Sequence, residues 1–552
     1  MSAIAPSFVA TLVCGLIACC ATDSRAQCRF TDSESNATWT YRFRAESGTD
    51  GLGLHVTGQF SLGPSGVLSL QLPAHWAGET LHAMTNLRSG SADVRLEIDP
   101  DGGSGVLRGE PNRSATITYD LQKDWTGPLV HPRQFHPVLM PEYFEFTGQN
   151  ALVFPRLDTP AKRVALTTAH LDFTQLPSSW ALATSFGAGT STADRCQVAT
   201  VSAAEIVDAL FAAGDFRLRQ FSIGRRRAIL AARGTWTFSD DDAIGQIQKT
   251  VGVVRDFWKD DEFPYFLVTV KPYDRDRGTS DGSESTNAFW MYLSRQDSFT
   301  DRLPQLAHES FHAWNPHRMG LRPNGEPIDW FTEGFTDYYA YRLLLQAGVL
   351  SVASYIDSLN QALRRFTPSS DPYVRGRIVA LWLDAKIRLE SHDQHSLDDV
   401  MFEMVPTRDQ PLTQERILST IAPYIPPDAR VALEAAVTNR AALAAPDRVP
   451  SVSGCAQRLL VDVPTFDLGF DLAASRAAGK VTGIRADSAA YAAGLRDGQI
   501  LTGRISVSNN DSQRAALFGI RDDAGEREVQ FFPRGQPVQV WQYQIGDCRN
   551  GR

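Results

Sequence analysis

The chain has 552 residues, 43% of them hydrophobic and 21% charged, with a formal net charge of -9. That is more chain than one hydrophobic core holds, so a folded multidomain protein is expected. The acidic balance leaves no basic face for nucleic acid, no G-x-x-x-x-G-K-S/T phosphate loop occurs, and beyond the N-terminus no apolar run is long enough to span a bilayer.

From Phe8 to Cys20 the chain is apolar over signal-peptide length, and Ser24-Arg25-Ala26 precedes a cleavage point before Gln27, so residues 1–26 read as an export signal. Leu16-Ile17-Ala18-Cys19 also resembles a bacterial lipobox, which makes Cys19 a candidate lipid anchor. The expected location is the periplasm, the outer membrane or the medium. Of 7 cysteines, signal cleavage leaves Cys28, Cys196, Cys455 and Cys548, an even set suited to an oxidising compartment. Residues 28–225 carry short alternating runs such as Val67–Leu72, Val94–Ile98 and Ala115–Tyr119 between turn residues, which predicts a β-sandwich-like domain forming one wall of a cleft.

Near Ser239 a capped helix begins, with Ile244, Ile247, Val251, Val254 and Trp258 on one face, followed by a strand over Tyr265–Val270. Leu303, Leu306, Ala307, Phe311 and Trp314 then recur at helical spacing around His308-Glu309-Ser310-Phe311-His312, and Pro316 closes the segment. Positions i and i+4 share a helix face, so both imidazoles can reach one metal while Glu309 faces water as general base. Asp329–Tyr339 starts a second amphipathic helix on which Glu333 is the natural third ligand. Two histidines and one glutamate leave a coordination position open, the catalytic arrangement, so one Zn2+ per chain is the expected cofactor. Asp337, one turn on, can accept the free ring N–H of a ligand histidine and fix its tautomer. Helical patterning continues to about residue 445, giving a catalytic domain over 226–450 and a last unit over 455–548. The expected disulfides, one of three connectivities, are Cys28–Cys196 and Cys455–Cys548, each bracketing a domain.

His308 to Asn315 and Trp330 to Tyr339 match the H-E-x-x-H-x-W-N and W-x-x-E-G-F-x-x-Y-Y runs of the glycyl aminopeptidase family, gluzincin metallopeptidases with a C-terminal PDZ domain. The chain resembles that family over most of residues 225 to 550. Asp371–Gly376 resembles its Y-x-K-G segment, which implies a transition-state role for Tyr373, and Ser396–Met401 resembles its S-L-D-D helix start. Where the family has a basic residue stands His317, which follows Pro316 off the ligand face and is expected beside the site rather than on the metal. The nearest match to a gluzincin amine-binding segment is Asp281–Asn287, so Glu284 is the candidate for the substrate's free amine, with Ser285 departing from the pattern. Leu468-Gly469-Phe470 and Ala486–Ile500 are similar to a PDZ domain, whose Gly-Phe loop receives peptide C-termini.

The resemblance implies a multidomain α+β protein: an N-terminal β-sandwich-like domain, a thermolysin-like, mainly helical catalytic domain, and a PDZ domain. It implies a zinc-dependent aminopeptidase that cleaves after small N-terminal residues, Gly or Ala, in peptide substrates. Two alternatives stay open: a zinc endopeptidase of the same fold, and a PDZ-based peptide-binding protein with a vestigial metal site.

Overall fold

The computed structural model describes residues 28–30, 37–48, 51–261, 265–274, 280–323, 325–366, 370–452, 456–507 and 511–546. The export signal, Cys19, Cys455 and Cys548 lie outside the described residues. The expected disulfide Cys28–Cys196 is formed. No helix of the described residues is long and apolar enough to cross a membrane.

The protein is a multidomain α+β fold. Its N-terminal part stacks a six-stranded, a five-stranded and a four-stranded sheet. Along Gly51–Ser61 and Ser114–Gln122 every second residue is buried, as a half-covered sheet requires. The inward rings, among them Tyr41, Phe43, Phe144, Phe146 and Phe211, make one core.

A second five-stranded sheet orders the strands as Arg217–Ile223, Arg226–Ala232, Tyr265–Pro272, Ala288–Leu293 and Asp281–Ser285. Helix Asp240–Trp258 is the crossover between two parallel strands of this sheet, and it starts where a capped helix is expected, in a capping box of Ser239 with Asp242. The hairpin Arg217–Ala232 straddles the boundary expected at residue 225, so this sheet begins earlier than the composition suggests. Its three inner strands are mostly apolar because both of their faces are covered, whereas the outer strands Arg217–Ile223 and Asp281–Ser285 are polar and less buried. Leu230, Val268, Val270, Phe289 and Met291 face the helices, whereas Ile229, Ala231, Leu267, Trp290 and Tyr292 face Tyr143, Ala183, Leu210 and Ala212 of the N-terminal part. Among the described residues the edge strand Asp281–Ser285 pairs only with Ala288–Leu293.

An ion pair is buried in that inter-sheet seam. Lys271 Nζ meets Glu145 Oε1, and Thr269 Oγ1 donates to Glu145 Oε2 at 2.9 Å, all three side chains fully or almost fully buried. Burial pulls the Lys271 ammonium down to about 8 despite the opposing pull of Glu145. Removing one partner leaves the other charge stranded, so Lys271→Met is expected to cost about 3–5 kcal/mol. Adding Glu145→Leu to it is expected to recover most of that loss. Denaturant titration of the single and double variants checks this, and equal destabilisation by both would remove the charge argument.

The rest of the central part is helical. Asp398 receives two hydrogen bonds from Arg342 and one from Tyr339 Oη at 2.8 Å, while Ser396 and Asp399 close a capping box, which accounts physically for the S-L-D-D run. The C-terminal part has its own small core around Leu495, Phe518 and Ile520. It carries a long antiparallel ribbon, Ala456–Phe466 with Arg534–Ile545. The ribbon docks on helix Val352–Phe366: the Asn360 side chain donates to the Tyr543 carbonyl at 2.8 Å and accepts from its N–H at 2.7 Å.

Candidate metal centre

Helix Leu303–His312 brings His308 and His312 to one face, and both are buried. Glu333 arrives on the next helical segment, though not within a continuous helix as expected. Asp329–Thr332 is one short turn, Gly334–Gln346 another helix, and Glu333 is the joint between them. The His308 and His312 Nε2 atoms lie 3.1 Å apart, and each lies 3.4 Å from Glu333 Oε2. Zinc–ligand bonds of about 2.0–2.1 Å at tetrahedral angles separate ligand atoms by about 3.3 Å, so this triangle has the dimensions of three corners of a zinc site. Among the described residues these three form the one such metal-capable group.

Each ring is aimed by a second contact. His312 Nδ1 donates to the Asn315 carbonyl at 2.8 Å, which turns the Nε2 lone pair inward. His308 Nδ1 lies 3.8 Å from Asp337 Oδ1, an ion-pair distance longer than a hydrogen bond, and Asp337 is in turn 3.4 Å from the Arg377 guanidinium. The role of Asn315, and Arg377 altogether, escape the sequence reading. Asn315 is fully buried, its amide donating to the Phe331 carbonyl and Thr336 Oγ1, both at 3.1 Å. Arg377 is buried in Pro372–Glu390 together with Arg375 and Asp384, so charge within this helix did not single it out in the sequence.

The cluster attracts positive charge. Burial opposes ionisation of Glu333, but the hydrogen bonds to His308 and His312 prevail and hold its carboxyl far below the usual range. Burial likewise opposes protonation of His308, yet Asp337 and Glu333 push it up to about 10. A proton or a divalent cation can supply that charge, so metal loading displaces protons and weakens as the pH falls.

Glu309 Oε2 accepts from the backbone N–H of Glu284 at 3.1 Å, which ties the motif helix to the edge strand. Burial, then the nearby carboxylates of Glu284 and Glu333, raise Glu309 to about 7 against the pull of the two histidines. Glu284 is half-buried rather than loose in water, and its Oε1 lies 2.7 Å from His317 Nε2. Burial would raise the Glu284 carboxyl, but His317 holds it below its usual value. His317 thus stands outside the metal group, as its place after Pro316 predicts. Tyr373 lies in the first turn of Pro372–Glu390, where Asp371 caps its N–H at 3.0 Å, and its ring stacks 5.5 Å from that of His308. Burial and the Glu333 carboxylate raise its phenol, which keeps the proton in place.

The M61 glycyl aminopeptidase family profile matches residues 302–376, the segment that carries the metal cluster and Tyr373. The resemblance read from the motifs therefore holds over that stretch. None of the curated proteins matches the chain in sequence. Among solved structures, an aminopeptidase N family protein of Idiomarina loihiensis is 16% identical with a TM-score of 0.64, covering 92% of this chain and 98% of that one. An M1 zinc metallopeptidase of Deinococcus radiodurans, bound to a Tyr-Ser-Ala substrate, is 13% identical with a TM-score of 0.52, covering 74% and 96%. At such identities the likeness is one of fold.

Proposed function

We propose that this chain, which is a zinc metallopeptidase of aminopeptidase type, holds one zinc ion through His308, His312 and Glu333 and removes small N-terminal residues, Gly or Ala, from peptides. Held by these three residues, a divalent cation would supply Lewis acidity to the scissile carbonyl and to water. Glu309 takes the proton of the attacking water and returns it to the leaving amine. The Tyr373 phenol donates to the developing oxyanion, and Asp337 and the Asn315 carbonyl keep the two imidazoles in the required tautomers.

The observation that carries the exopeptidase reading is the Glu284 N–H to Glu309 hydrogen bond of 3.1 Å. It holds the backbone of Glu284 against Glu309, so the Glu284 carboxylate, able to pair with an ammonium, belongs beside the group that activates water, and a substrate held by its amino end would present its first peptide bond to Glu309. The preference for small residues rests on the family resemblance alone. Aminoacyl reporters with a free amine are expected to be cleaved, N-blocked ones not, and chelator to stop the reaction. Glu284→Ala should lower kcat/KM for the free-amine reporter by about 10- to 100-fold. The prior claim of His317 on Glu284 favours one second reading, an endopeptidase. Equal cleavage of blocked and free substrates, unaffected by Glu284→Ala, would establish it.

Tyr373→Phe is expected to lower kcat by about 100-fold with little change in KM, because the phenol acts only on charge that develops in the transition state. Steady-state kinetics separates the two constants, and an unchanged kcat removes Tyr373 from the mechanism. The C-terminal part is read as a PDZ domain. Support comes from its Gly469 loop, where φ is +78° and an added Cβ would lie 2.2 Å from Ser488 Cβ. That tight turn suits backbone N–H groups gathered for a peptide carboxylate. The disulfide and the lack of a membrane-crossing helix among the described residues are compatible with export.

A further inference from the structure

A cavity of about 830 Å³ opens far along helix Pro372–Glu390 from Tyr373. The last turns of that helix, the segment 444–450 and Arg458 of the ribbon line it. Its volume is that of a site for a small organic ligand. Trp382, Ala385 and Leu389 recur at helical spacing along one wall, Ala444, Ala445, Pro446 and Pro450 form another, and Leu389 is 64% exposed within this apolar surface.

The charges on the rim are unequal. Arg388 is held by Asp384 at 3.0 Å, and Arg458 is held by Asp447 while lying over the Trp541 ring. Lys386 and Arg448, which also line the cavity, have no ion-pair partner among the described residues. In a chain of net charge -9, two unneutralised cations beside an apolar wall form a local site for an anion. Asp393 and Asp447 on the same rim would repel a multiply charged phosphate but tolerate a single negative charge. The turn is also set with care: His392 and Asp393 both adopt left-handed backbone, with φ of 54° and 61°, and neither is glycine. That conformation is uncommon, and it projects both side chains onto the rim.

We propose that this cavity is a second binding site, separate from the metal centre, for the C-terminal residue of a peptide. The carboxylate lies between Lys386 and Arg448 and the apolar side chain lies against Trp382 and Leu389. His392 and Asp393 are placed to hydrogen-bond the peptide backbone. The assignment does not depend on the aminopeptidase reading.

Isothermal titration of the full chain with acetyl-Ala-Ala-Phe bearing a free carboxylate tests it, because the acetyl group denies the ligand an amine for Glu284. Saturable binding is expected, at least about tenfold weaker for the C-terminal amide. The Lys386→Glu/Arg448→Glu variant should lose at least about tenfold in affinity for the free acid with an unchanged thermal midpoint. Leu389→Ser should weaken the acid and the amide alike. Equal binding of acid and amide, or binding that survives the double charge reversal, places the peptide elsewhere, at the Gly469 loop or the metal centre, and overturns the proposal. Octanoate that binds as tightly and displaces the peptide would make this a general site for apolar carboxylates and overturn the peptide assignment.

Discussion

Glu309→Gln is expected to keep its zinc and lose hydrolysis by about a thousandfold or more. The side chain gains no bulk, and its amide oxygen can still accept the Glu284 N–H that now lies 3.1 Å from Oε2. The three ligand atoms belong to other residues, so the triangle of 3.1 and 3.4 Å is left intact. What disappears is a base, and a positioned general base contributes about 10²–10⁴ in rate. Metal analysis and steady-state kinetics on the same preparation decide the matter: zinc lost together with activity would reassign Glu309 to the metal. The pH profile gives a second reading. Hydrolysis needs Glu309 ionised, so kcat/KM should fall as the pH drops through its pKa. Burial sets that value at about 7 in the protein alone, and a bound cation adds a lowering pull, so the acid limb belongs at or below about 7. The residual activity of Glu309→Gln should lack that limb.

The parts of the site that follow from helical repetition are legible in the sequence, and those that depend on a crossing of two elements are not. His308, Glu309 and His312 are read directly because i and i+4 share a face. Glu333 and Asp337, one turn apart, share a face for the same reason, and the break in the helix at Glu333 coincides with Gly334, a poor helix former that the apolar pattern alone passes over. The position of His317 also follows locally from Pro316, but its pairing with Glu284 joins a helix end to a sheet edge and has no local signature. The β-rich character of the N-terminal part is visible as alternation. That its five-stranded sheet covers the back of the strands leading to the metal centre is not, because a strand buried on both faces shows one apolar run whatever covers it. Asn315 acts through its carbonyl, which any residue possesses, so its identity reports only on the buried amide.

The same limit applies to Gly376, where the motif gives the residue but not the reason for it. Helices Gly334–Gln346 and Pro372–Glu390 cross backbone to backbone: a Cβ on Gly376 would lie 1.9 Å from the Trp330 carbonyl oxygen and 2.6 Å from Gly334 Cα, and one on Gly334 would lie 2.2 Å from Gly376 Cα. These are main-chain atoms that cannot swing aside, so Gly376→Ala must push the helices apart. Overpacking of this kind costs about 1–3 kcal/mol or more, beyond the roughly 1 kcal/mol that alanine gains over glycine in helix propensity. The damage concentrates at the metal centre because Glu333 and Tyr373 sit beside the crossing on opposite partners, and such sites tolerate only about 0.5 Å of displacement. Gly376→Ala is therefore expected to unfold at lower temperature, bind zinc at least about tenfold more weakly and lose most of its kcat. Gly252→Ala, in helix Asp240–Trp258 with nothing within 4 Å of the added methyl, should instead stabilise the protein by about 0.5–1 kcal/mol and leave hydrolysis unchanged. Thermal unfolding, zinc titration and kinetics on the two variants separate the effects. A Gly376→Ala protein that holds zinc and turns over like the parent would mean that the crossing does not set the geometry of the site.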